Sequence, residues 1–128
     1  MIDRLDHLVL TCTDEQATIA FYTAVLGMRL VTFEGRKAFH FGGQKINLHV
    51  RGHEYEPKAH IPAPGALDLC FIADRPLDVV MAQLAAKDVT IIEGPVHRTG
   101  AAGQLRSVYL RDPDLNLIEI SEILEPKI

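Results

Sequence analysis

One order of elements occurs twice along this chain, and that repetition limits its possible folds more than any single stretch does. Leu5–Thr11 alternates apolar and polar residues as a strand does, and Asp14–Leu26 carries the spacing of a helix. Three further strands follow over Met28–Phe33, Lys37–Phe41 and Lys45–Val50. After a proline-bearing stretch the order restarts, with a strand over Ala66–Ile72 and a helix over Pro76–Lys87. Strands over Val89–Glu93, Arg106–Arg111 and Asn116–Ser121 complete it. Each half therefore reads βαβββ, and a self-similar pattern of this kind decides the architecture. The expectation is an α+β fold of two modules, 1–50 and 66–124, within one domain spanning 1–128. Their sheets would form a curved mixed surface around a cleft, with the helices outside.

Local signals support the boundaries. Thr13 or Asp14 can cap the first helix, and Gly27 suits the left-handed position after its last turn. Turns at Glu34–Gly35 and Gly42–Gly43 separate the middle strands. Pro76 suits a helix start, and Leu77, Val80, Met81, Leu84 and Ala85 recur at spacings of three and four. The segment 51–65, RGHEYEPKAHIPAPG, holds Pro57, Pro62 and Pro64 and cannot be a regular element, so it reads as a linker.

Alternation then assigns faces, because successive strand side chains point to opposite sides. Ile46, Leu48 and Val50 pack toward the helices, which leaves Asn47 and His49 on the other side. In the last strand Ile118 and Ile120 pack outward onto the helix, so Glu119 faces the cleft. Leu67, Leu69 and Phe71 leave Asp68 and Cys70 on the polar side; Leu8 and Leu10 leave His7 and Val9 there. The equivalences expected are His7 with Asp68 and His49 with Glu119. Imidazoles and carboxylates converging on one cleft suit a divalent transition metal such as Ni, Zn, Mn or Fe. A buried carboxylate needs a counter-charge, which a dication supplies. Taken singly, each of these residues would read as part of a solvated strand face. Their matched positions favour metal ligation by His7, His49, Asp68 and Glu119. His40, His53, His60 and His97 read as surface or loop residues.

The segment GPVHRTGAAGQ, 94–104, reads as a glycine-rich loop. In it Arg98 could pair with an anionic group, against the simpler reading of a connector. Tyr109 and Ser107 alternate onto the inner face and could line a pocket. Cys12 and Cys70, the only 2 cysteines, lie in strand-like runs and read as buried free thiols of a reducing, cytoplasmic setting. The net charge of −4, without a basic run interleaved with aromatics, argues against nucleic acid as a partner. No apolar stretch approaches the ~20 residues a membrane helix needs. Nor is there a phosphate loop, an HExxH or a GxSxG motif.

"DHLVLTCTD", "FYTAVLGMRLV" and above all "RDPDLNLIEIS" resemble the vicinal oxygen chelate superfamily of glyoxalases, bleomycin-resistance proteins and extradiol dioxygenases. "RKAFHFGGQKINLH", "EPKA", "PGALDLCFI" and "EGPVHRTGAAG" are most similar to small glyoxalase-domain proteins. The resemblance covers nearly the whole chain. It implies paired βαβββ modules with one metal per pair, His7 as first-strand ligand and Glu119 as last-strand ligand. In chain order the set becomes His7, Asn47 or His49, Asp68 and Glu119. The fourth-strand Glu and fifth-strand His usual in glyoxalases are absent. The implied activity is that of a metal-dependent lyase or isomerase of glyoxalase type. It would bind two oxygens of a small-molecule substrate and stabilise an enediolate, with Glu119 or Asp68 as general base and Asn47, Arg98 and Tyr109 against the substrate. The alternatives are a non-haem Fe(II) dioxygenase using His7, His49 and Glu119, or a non-enzymatic protein that sequesters a small molecule or antibiotic. Small members of the family often pair as homodimers, which is the expectation here.

Overall fold

A computed structural model describes residues 1–126, and the chain divides into two compact units, Met1–Leu67 and Asp68–Ile128. The first contains β1 (His7–Cys12), α1 (Glu15–Ala20) continued by one π-helical turn (Phe21–Val25), β2 (Arg29–Phe33), β3 (Arg36–Phe41) and β4 (Gln44–Val50). The second contains β5 (Asp68–Ile72), α2 (Leu77–Ala86), β6 (Glu93–Thr99), β7 (Gly103–Arg111) and β8 (Leu117–Pro126). Each unit is thus βαβββ. Its sheet has four strands, in the order β1-β4-β3-β2 in one unit and β5-β8-β7-β6 in the other. In each, the first strand pairs parallel with the last and the remaining pairs are antiparallel.

Helix starts and stops follow the chemistry of their ends. Asp14 has extended backbone, and its carboxylate accepts the Ala17 amide at 3.1 Å. Gly27 takes φ +77° just after the π turn, as a left-handed C-terminal residue does. The second helix has no local side-chain cap. Instead Glu122, 45 residues away on β8, accepts the Leu77 amide at 2.8 Å through Oε1, so this cap exists only in the folded unit.

One face of each sheet carries the core. In the first unit Leu10, Ile46, Leu48 and Phe39 are buried, and Tyr22 stacks on Phe39 with ring centroids 5.1 Å apart. In the second, the cross-strand pairs Leu110–Ile118 and Val108–Ile120 are buried, as are Leu77, Val80 and Leu84 of α2. Fully burying one such side chain stabilises by about 1.5–3 kcal/mol, so sliding either strand by one residue would turn that gain to the wrong face.

Two expectations change. The segment expected to be a glycine-rich loop is mostly strand β6, and 89–92, expected as a strand, is not one. β6 needs Gly94, whose φ is +107°, because a Cβ there would sit 2.5 Å from the Ser107 carbonyl oxygen. The ladder is irregular at that point, between Glu93 and Val96. The segment 51–65 belongs to the first unit and sends Tyr55 back against His49 and Arg36.

Candidate functional site

The face opposite the core carries the polar rows, and strand register aligns them. In the first unit His7 pairs with Lys45, Val9 with Asn47, and Thr11 with His49. In the second Asp68 pairs with Leu117, Cys70 with Glu119, and Ile72 with Ser121. Two residues along the ladder from the His7 pair lies Asn47; two residues along from the Asp68 pair lies Glu119. His7 and Asp68 are therefore equivalent, and the fourth-strand counterpart of Glu119 is Asn47. The expected match of His49 with Glu119 is corrected: His49 occupies the place of Ser121.

His49 is also displaced from His7. Thr11, its partner, lies four residues beyond His7, about 13 Å along the strand at roughly 3.3 Å per residue. Strand side chains stand roughly perpendicular to the sheet, so the two imidazoles do not converge on one ion. The His49 ring is buried at 8% exposure and packs edge-on against Tyr55, centroids 5.5 Å apart. Its Nδ1 has no hydrogen-bond partner among the described residues. Burial pushes its pKa below the ordinary imidazole value, and Arg36 acts in the same direction against the opposing pull of Glu54. Arg36 lies over the Tyr55 ring at 4.1 Å.

His7 is exposed, and its Nδ1 lies 2.8 Å from the Asp6 carboxylate. An ionised carboxylate only accepts, so Nδ1 carries the proton, and in the uncharged tautomer the lone pair is on Nε2. The same hydrogen bond holds the Asp6 carboxyl below its usual range.

In the second unit, the stretch DPDLN sets the start of β8. Asp112 Oδ1 accepts the amides of Asp114 and Asn116, both at 2.9 Å, and its Oδ2 accepts from Asn116 Nδ2 at 2.7 Å. Asp112 and Asn116 are buried, so this locked turn delivers β8 in one register. Glu119 then falls half-buried on the polar face, opposite Tyr109 on one side and Cys70 on the other. Ser121 Oγ donates to Glu119 Oε2 at 3.2 Å and lies 2.6 Å from Ser107 Oγ and 3.4 Å from Cys70 Sγ. Burial raises the Cys70 thiol pKa, and the charges of Glu119 and Asp68 add to the rise. Cys70 is exposed on this face; Cys12 alone is the buried thiol expected.

Arg98, on β6, donates through Nε to the Tyr109 hydroxyl at 2.9 Å and lies 3.8 Å from Glu93. Burial raises the Tyr109 phenol pKa, Arg98 opposes that, and Glu119 adds to it. Within neither unit do three or more His, Cys, Asp or Glu side chains gather as a metal-ligating group among the described residues. Alternation from Glu119 would have found Ser121, and from Tyr109 it does reach Ser107. Arg36 and Tyr55 carried no such signal, since one lies on the third strand and the other in an irregular segment.

Over residues 4–120 the chain matches the Glyoxalase/Bleomycin resistance protein/Dioxygenase superfamily, and it belongs to that family. It is 55% identical over 123 residues to Virulence protein STM3117 of Salmonella typhimurium, covering 95% of this chain and 85% of that one. It is 52% identical over 124 residues to the glyoxalase domain-containing protein RDO1 of Mycosarcoma maydis, covering 96% and 70%. The crystal structure of the Salmonella protein superposes with a TM-score of 0.94 at 54% identity, over 97% of this chain and 99% of that chain. That of lactoylglutathione lyase from Agrobacterium tumefaciens does so at 0.72 and 26% identity, over 94% of each.

Proposed function

We propose that this protein is a metal-dependent, glyoxalase-like enzyme acting on a small substrate through two neighbouring oxygen atoms. The observation that carries this reading is the equal register step from His7 to Asn47 and from Asp68 to Glu119. The donors suit a divalent ion chemically. The His7 Nε2 lone pair is left free by a carboxylate on Nδ1, the outer-shell arrangement that orients ligating histidines. The candidate donors are His7 on the face of the first unit and Asp68 and Glu119 on that of the second, with Asn47 as a neutral oxygen donor or a contact to substrate. A bound divalent ion supplies Lewis acidity toward substrate oxygens. Glu119, with Asp68 as the alternative, moves the proton between adjacent carbons as general base. Tyr109, fixed by Arg98, offers its hydroxyl to the substrate.

His49 leaves the ligand set, and with it the two-histidine set that favoured a dioxygenase. The amide of Asn47, where the other half has a carboxylate, supports a second reading: a pocket that sequesters a small molecule or antibiotic. The partner is a small molecule in either case, and two copies of the chain would form a homodimer. No helix among the described residues is long and apolar enough to cross a membrane.

Titration of chelator-stripped protein with nickel, zinc, manganese and iron(II) tests the reading. Stoichiometric binding that Glu119→Gln abolishes is expected, together with turnover of a thiohemiacetal without oxygen uptake. Wild-type protein that takes up none of these ions would leave the sequestering pocket as the better reading.

A further inference from the structure

The second polar face contains more than its two carboxylates. Ser107 and Ser121 are fully buried, directly opposed on β7 and β8, one step beyond Glu119. Ser121 Oγ has three neighbours, Glu119 Oε2, Ser107 Oγ and Cys70 Sγ, but one proton and two lone pairs. The Glu119 carboxylate can only accept, so the Ser121 proton goes to it. Ser107 then donates to the Ser121 oxygen, and the Cys70 thiol, which hydrogen-bonds the Glu119 carboxylate as well, donates to one of the two.

From this geometry we infer that Ser121 is a positioning residue for Glu119, with Ser107 and Cys70 as its supports. The hydroxyl engages Oε2 from a site without solvent access, which fixes the orientation of the carboxylate on the polar face. The Cys70 thiol, level with Glu119 in the ladder, lies against both Ser121 and the carboxylate and serves as a donor to this pair. The first unit has no such device: His49 stands where Ser121 would be, packed on Tyr55. The role assigned to Ser121 rests on the reading of Glu119 as a functional carboxylate. The hydrogen-bond array does not require a bound ion, so the two can be tested apart.

The test uses the full chain without added metal, with glutamate methylene groups carbon-13 labelled. Side-chain relaxation of Glu119 should show one ordered rotamer in the wild type and clear loss of order in Ser121→Ala. Ser107→Ala should fall between them, and Ser121→Thr, which keeps the hydroxyl, should restore the order. Equal Glu119 order in wild type and folded Ser121→Ala overturns the inference, as does Ser121→Thr as disordered as Ser121→Ala. Should Ser121→Ala not fold, unchanged order in Ser107→Ala counts against it in the same way. Cobalt(II) titration of the same variants forms the second arm. A loss of about tenfold in affinity for Ser121→Ala, restored in Ser121→Thr, is expected for an outer-shell partner of a ligand. A wild type that takes no cobalt removes the metal reading, while the relaxation data still decide the role of Ser121.

Discussion

The two polar faces have one topology and different chemistry. In the second unit the row of Glu119 is followed by buried hydroxyls, and an arginine–tyrosine pair flanks it. In the first unit the equivalent row holds the neutral Asn47, and the row beyond is closed by His49, Tyr55 and Arg36. A repeated backbone thus places side chains at matched positions without dictating what they do. The second face is organised to hold a charge. The first offers one imidazole lone pair at His7 and then becomes a packed aromatic corner.

Substitutions can break or sharpen this contrast. The largest effect is expected for Glu119→Gln, which should lower divalent metal affinity by about a hundredfold or more, since it removes a charged donor; calorimetric titration measures it. Loss of less than threefold would move the functional carboxylate elsewhere. Next comes His49→Ala. It should cost about 2 kcal/mol of stability in denaturant unfolding, as large-to-small changes at buried sites do, and leave metal affinity unchanged. A matching loss of metal affinity would restore His49 to the ligand set. Converting the first face toward the second, Asn47→Asp should raise divalent affinity about tenfold, since a carboxylate replaces an amide on a hard or borderline ion.

The smallest effect concerns pH. Burial lowers the His49 pKa below its ordinary value of 6.5, so between these values the unfolded chain binds more protons than the folded one. The stability contributed by neutral His49 is therefore fully present above about pH 6.5 and is lost as pH falls from there through the folded-state value. Unfolding curves between pH 7.5 and 5 should lose part of this slope in His49→Gln. An unchanged slope would mean that the buried ring is not the group responsible.

Much of this was legible in the chain. Apolar alternation named the correct faces of β1, β4, β5 and β8, because a half-buried strand exposes its period directly. Asp14 and Gly27 marked the first helix through backbone chemistry confined to a few neighbouring residues. The DPDLN turn is set locally in the same way, since its hydrogen bonds close within five residues.

What lay beyond reach depended on pairs far apart in sequence. Whether Asn47 or His49 stands level with Glu119's position is decided by how β4 slides against β1, and alternation places both on the same face. The Glu122 cap on α2 and the contact of Gly94 with β7 likewise join segments that only folding brings together. The sequence by itself determined the duplicated modules and which side of each strand is polar, since both follow from local periodicity. The tertiary structure alone decided the register and the burial and mutual contact of the Ser107 and Ser121 hydroxyls, because ladder hydrogen bonds and packing between distant strands set them.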